Sequence, residues 1–280
     1  MKKTLLLSFM VFITMGSVFA NISPNQMVNI AGKQRMLSQK IAKIYLMKAY
    51  GANLDELNSE LNISKIIFER NLETLSVNSG KMFSQKVTNA VLKEKICWNE
   101  FKLLIDKPVD ENSIERVLDL SNILLKNSDE VVGVIKKENL YEKNFNTNTK
   151  LINIIDKSGK QRMLSQRLCL YFIAKKFNLK NKVRSLRNDT ALYSVYNELD
   201  EELINLLNSE LNSLEVDKAI GSTMLTFENL RSQKGSIVNG TASLNIVYNT
   251  TNKLTKDFDN LTSKYTNLKF QQNGFVSATR

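Results

Sequence analysis

Histidine is absent from this 280-residue chain, and cysteine occurs only twice, at Cys97 and Cys169. Without an imidazole there is no Ser-His-Asp nucleophile, and two unclustered thiols do not assemble a zinc or haem site. No residue pattern sets a nucleophile beside a base, so the chain reads as a non-enzyme with no cofactor and no metal. Proline (2 residues) and glycine (10 residues) are scarce, which removes the turn punctuation an all-β chain needs. The formal charge is +11, yet no run of five or six Lys or Arg occurs and few aromatics are interleaved, so nucleic acid is not the expected partner. Both cysteines lie in apolar helical contexts. In an oxidising compartment a disulfide between them and two separately buried thiols are both consistent with the sequence.

The longest apolar run lies at the very start. Lys2 and Lys3 precede "TLLLSFMVFITMG", and "SVFA" places small residues before Ala20. This is the pattern of a secretory signal over residues 1–20, cleaved after Ala20; an uncleaved anchor is the alternative, although the run is short of the roughly 20 residues a span requires. No later stretch could span a bilayer. Loss of Lys2 and Lys3 lowers the formal charge from +11 to +9. The expectation is an exported, periplasmic protein whose mature chain has no transmembrane helix and whose diffuse positive charge concentrates small anions.

Leu, Lys, Asn, Glu and Ser dominate what remains, a composition suited to long helices joined by polar turns. "AGKQRMLSQKIAKIYL" begins at Ala31 and "SGKQRMLSQRLCLYFI" at Ser158, so the octapeptide GKQRMLSQ occurs twice, offset by 127 residues from Gly32 to Gly159. Each copy has an apolar lead-in, "MVNI" or "LINIID", and is followed by three further segments with helical periodicity. Breaks are expected at "YGANLD", "SVNSGK" and "DKPVDENS" in the first copy, and at "RNDT" and "SIVNGTAS" in the second. Met224, Phe227, Leu230 and Val238 read as one helix. The fold class is all-α: two tandem up-down four-helix bundles, residues 21–145 and 146–280, packed as an intramolecular pseudo-dimer. Four alternating helices return the chain to its starting end, so the first helices of the two copies can run side by side if the chain reverses near Phe145. The Asn- and Thr-rich "NFNTNT" suits a turn there; one continuous helix is the alternative.

On a helix Gly32, Arg35 and Gln39 share a face, as do Gly159, Arg162 and Gln166, while Leu37, Ile41 and Ile44 point to the core. A glycine inside a helix costs roughly 1 kcal/mol against alanine, and its presence twice implies that something approaches the backbone closely. The arginine one turn on is always charged and offers a planar fork of donors suited to oxyanions. Ser38 and Ser165 can bond to the preceding turn, and Lys33 and Lys160 stand on a neighbouring face. These four, with Gln39 and Gln166, are secondary candidates beside Gly32, Arg35, Gly159 and Arg162.

These boxes resemble the opening helix of the PilJ/NarX-type sensor domain of type IV pilus chemotaxis transducers and nitrate/nitrite sensor kinases. In that family a Gly-x-x-Arg-Met box lies on the first helix of a four-helix bundle, and paired arginines bind one nitrate across a homodimer interface. The resemblance implicates Gly32, Arg35, Gly159 and Arg162, and it differs in having both boxes in one chain without an output domain. It implies a periplasmic protein that binds or senses a nitrate- or nitrite-like oxyanion between the two boxes, with a membrane sensor or transporter as possible recipient. A helical scaffold without a small ligand is the alternative. Two bare guanidinium groups about 7 Å apart repel by roughly 2–3 kcal/mol at an effective dielectric near 20, so removing either arginine is expected to stabilise the empty protein.

Overall fold

The computed structural model describes residues 22–52, 54–141, 149–181, 185–270 and 276–277. The signal-like residues 1–20 and the expected reversal near Phe145 lie outside the described residues. Nine α-helices are present among those described.

The first helix, α1 (Pro24–Ala49), has a complete N-terminal cap. Ser23 caps it, Pro24 occupies the first helical turn without needing an N–H partner, and Gln26 closes a reciprocal capping box with Ser23. Then come α2 (Leu54–Met82), α3 (Gln85–Ile105), a single 3-10 turn (Glu111–Ser113) and α4 (Ile114–Tyr141). Helix α1 packs on α2 and α4, and α3 packs on both of those, closing a four-helix ring. Phe68 stacks on Trp98 at 4.1 Å to lock α2 to α3.

The second ring repeats this with α5 (Thr149–Lys180), α6 (Leu186–Leu207), α7 (Leu214–Arg231) and α9 (Leu244–Thr266). A five-residue α8 (Lys234–Val238) is inserted between α7 and α9, and a two-residue antiparallel pair, β1 (Lys269–Phe270) with β2 (Val276–Ser277), follows α9. Helices α1 and α5 join the rings: they pack against each other more extensively than any other pair. No helix among the described residues is long and apolar enough to cross a membrane.

Two expected breaks and one expected helix fall differently. "SVNSGK" lies inside α2, where Asn78 and Ser79 donate back to the carbonyls of Thr74 and Ser76, so polar side chains are absorbed by the helix itself. "RNDT" lies in the first turn of α6, whose cap is Ser185 and whose Asp189 favours a helix start rather than a stop. Val238 belongs to α8, not to the helix of Met224, Phe227 and Leu230, and the segment ends at Gly240 with φ +75. Cys97 and Cys169 are separate, free and buried.

Candidate functional site

Because α1 and α5 are surrounded on most sides, their octapeptides are largely interior, most polar residues included, with Lys33 and Lys160 half-buried. Gln34, Ser38, Gln39 and Lys43 of α1 and Ser158, Gln161, Arg162 and Ser165 of α5 are fully buried. The two helices run side by side in the same direction, with positions related by the 127-residue offset making reciprocal contacts. Asn29 meets Arg162, and its counterpart Asp156 meets Arg35.

The glycines sit where the two arginines cross the seam. A Cβ on Gly32 would stand 3.1 Å from Nη2 of Arg162 and 3.3 Å from Nη2 of Arg35. One on Gly159 would stand 2.9 Å from Nη2 of Arg162 and 3.8 Å from that of Arg35. Both guanidinium tips therefore occupy the space that two glycines leave open, one above the other across the pseudo-two-fold axis. Arg162 has no solvent exposure and Arg35 has 4%.

The bare repulsion expected from the sequence is not what the seam holds. Arg35 donates from Nη1 to Asp129 of α4 at 3.1 Å and from Nη2 to Asp156 of α5 at 2.7 Å. Arg162 donates from Nη1 to Asp259 of α9 at 2.6 Å and to the Asn29 amide oxygen at 2.9 Å. Lys136 joins Asp156 at 2.5 Å and Lys33 joins Asp259 at 3.3 Å. Burial alone pushes the carboxyls of Asp156 and Asp259 up, but the adjacent cations outweigh it and hold both below the usual carboxylate range. Burial pulls Arg162 down, Asp259 opposes this, and the facing Arg35 adds to the fall. Four cations thus meet three carboxylates, leaving one positive charge in excess. The pseudo-symmetry breaks in the partners across the seam: Arg35 has the carboxylate of Asp156, and Arg162 has the neutral Asn29.

The secondary candidates divide. Ser38 and Ser165 bond locally to the carbonyls of Arg35 and Gln161. Gln39 donates to the Ser121 carbonyl on α4, and Gln166 donates to Asn252 and Thr255 on α9, so both tie a box helix to the last helix of its ring. Lys160 pairs with Glu198 away from the seam, whereas Lys33 reaches Asp259. The acidic partners were not identified from the sequence. Asn29 and Asp156 were accessible to it, since each stands three residues before a repeated glycine; Asp129 and Asp259, on distant helices, carry no local signal. Lys43 was also missed: its ammonium donates to Asn252 at 2.7 Å and lies over the Tyr248 ring. Arg35 Nε and the Oε1 atoms of Gln34, Gln39, Gln161 and Gln166 are buried without hydrogen-bond partners among the described residues.

A cleft of about 450 Å³ opens beside this network between α1, α2, α5 and α9. Met36, Lys40, Gln166, Asn252, Lys256 and Asp259 form much of its wall. No group of three or more His, Cys, Asp or Glu among the described residues could hold a metal ion.

The described residues thus form two helical bundles joined by a buried, charged seam. Residues 21–95, which contain α1, α2, half of α3 and the first box, match the PilJ family, the type IV pili methyl-accepting chemotaxis transducer N-terminal domain. Over that segment the chain is similar to this family of transducer N-terminal domains. No curated protein and no solved structure matches the chain.

Proposed function

We propose that the chain is a sensory domain that binds one small oxyanion of the nitrate or nitrite kind between Arg35 and Arg162. The observation that carries this reading is the excess positive charge at a buried seam where two symmetry-related guanidinium groups converge over two glycines. A monoanion cancels that charge, and a planar oxyanion can accept from both forks. The second box then supplies what a second subunit supplies in a dimeric sensor, so residues 146–280 act as a second PilJ-type module beside residues 21–145. Export by residues 1–20 into the periplasm, and delivery of the bound state to a membrane sensor or transporter, belong to the same reading. N-terminal sequencing of mature protein tests the export; Asn21 is the expected first residue.

One observation favours a second reading, a scaffold without a ligand: each guanidinium already has a carboxylate partner. Calorimetry and melting with sodium nitrate, nitrite and related anions separate the two. Ligand that binds only the folded protein raises the melting temperature, with affinity falling as competing salt rises. Arg35→Ala and Arg162→Ala each abolish most binding on the first reading. Unchanged melting with every anion in the panel leaves the scaffold.

A further inference from the structure

We propose that the cleft between α1 and α9 is the route by which the anion reaches the arginine pair, and that Asp259 is its gate, exchanging places with the incoming anion on Arg162. The inference rests on the oxyanion reading and adds to it a path, a competing group and a direction.

Arg162 has no exposed surface, while the Asp259 side chain that bonds it is 41% exposed and lines the cleft. Asp259 is therefore the group a solute meets first on the way to Arg162. Removing it leaves Arg162 with the uncharged Asn29 as its remaining side-chain partner. Arg35 differs: if Asp129 swings away, Asp156 remains at 2.7 Å, itself secured by Lys136. Only on the Arg162 side does loss of one carboxylate create a cation with no counter-charge, so that side accepts the anion.

The displaced carboxylate has somewhere to go. Lys33 already lies 3.3 Å from Asp259, and the exposed Lys256 stands in the same cleft one turn earlier on α9. Exchange of one anion for another on Arg162 breaks one charge-assisted hydrogen bond and forms an equivalent one, with no proton or electron moved. Lys256 on the cleft wall attracts the solute, an effect that salt screens, whereas Lys40 is neutralised by Glu60 on the same wall at 3.1 Å. Gln166, 1% exposed, lies against the same cleft with its Oε1 unpartnered. Its amide nitrogen is already committed to Asn252 and Thr255, so the cleft floor offers an incoming anion no competing donor there.

The test is calorimetric titration of sodium nitrate and sodium nitrite into wild type, Asp259→Asn and Asp129→Asn, with stopped-flow association for wild type and Met36→Trp. Removing the competing charge makes Asp259→Asn bind at least about tenfold tighter, the scale of one charge-assisted bond. Asp129→Asn tightens binding less, because Arg35 keeps Asp156. Met36→Trp narrows the cleft and slows association severalfold with an unchanged urea midpoint, which keeps the path testable if Asp259→Asn does not fold. Binding by wild type with no gain in Asp259→Asn, a larger gain in Asp129→Asn, or undiminished association in Met36→Trp overturns the gate and leaves the oxyanion site standing. Absence of anion binding in wild type and in every variant overturns the site itself.

Discussion

Lys43 offers the sharpest measurement of how this interior handles charge. Its side chain is fully buried beside the box helix α5, and burial pulls its ammonium from the ordinary 10.5 down to about 8; Cys169 and Glu60 oppose the fall and Lys40 adds to it. Each tenfold change in proton affinity is worth about 1.4 kcal/mol, so the charged form costs the fold about 3 kcal/mol. The sign follows from proton counting. Between about pH 8 and 10.5 the unfolded chain holds the proton and the folded chain does not, so stability from this group rises with pH across that window. Below pH 8 the full cost is present. Lys43→Met removes the charge at similar length. It loses the bond to Asn252, about 1 kcal/mol, but the Asn252 oxygen still accepts from Gln166 at 3.1 Å and is not orphaned. The variant should therefore be about 2 kcal/mol more stable than wild type at pH 7, and this advantage should disappear by pH 10. Urea denaturation followed by far-ultraviolet circular dichroism at half-unit pH steps from 6.5 to 10 measures the difference. An offset between the two proteins that stays constant from pH 7 to 10 refutes the reasoning, because the cost would then not be that of a buried charge.

Glu94 is the opposite case: burial pushes its carboxyl up to about 8, against one bond from Ser128. Between pH 4.5 and 8 the folded chain holds the extra proton, so Glu94→Gln should match wild type below pH 4.5 and gain on it as pH rises, by about 3 kcal/mol at pH 7; the same denaturation series reads this. Gly221→Ala, at an exposed position of α7 with nothing within 4 Å of the added methyl, should stabilise the protein by about 1 kcal/mol. Gly159→Ala should not gain this, because its methyl meets an arginine tip pinned by Asp259 and Asn29; equal gains in thermal melting would show that the arginine is free to move. Arg162→Ala should destabilise the empty protein by about 2–3 kcal/mol in urea, less than a wholly buried pair because Asp259 can rehydrate. A stabilised variant would restore the bare repulsion inferred from the sequence.

What the sequence determined by itself is local or repetitive. Apolar periodicity marked most of the helices, and the identical octapeptides named Gly32, Arg35, Gly159 and Arg162 as a set. The even helix count made a side-by-side α1 and α5 the natural arrangement, because alternating helices bring the chain back to its starting end. Polar residues misled where they are helix-compatible, at "SVNSGK" and "RNDT", since a side chain that bonds the preceding turn or caps a helix reads like a break. The tertiary structure alone decided what faces the arginines. Asp129 lies 94 residues from Arg35 and Asp259 lies 97 from Arg162, so no local pattern ties each acid to its base. Packing of α4 and α9 against the box helices creates those pairs, and with them the sign of the stability change on removing an arginine. The chemistry of a buried charge depends on which groups share its low-dielectric surroundings, and that is fixed only when distant helices close around it.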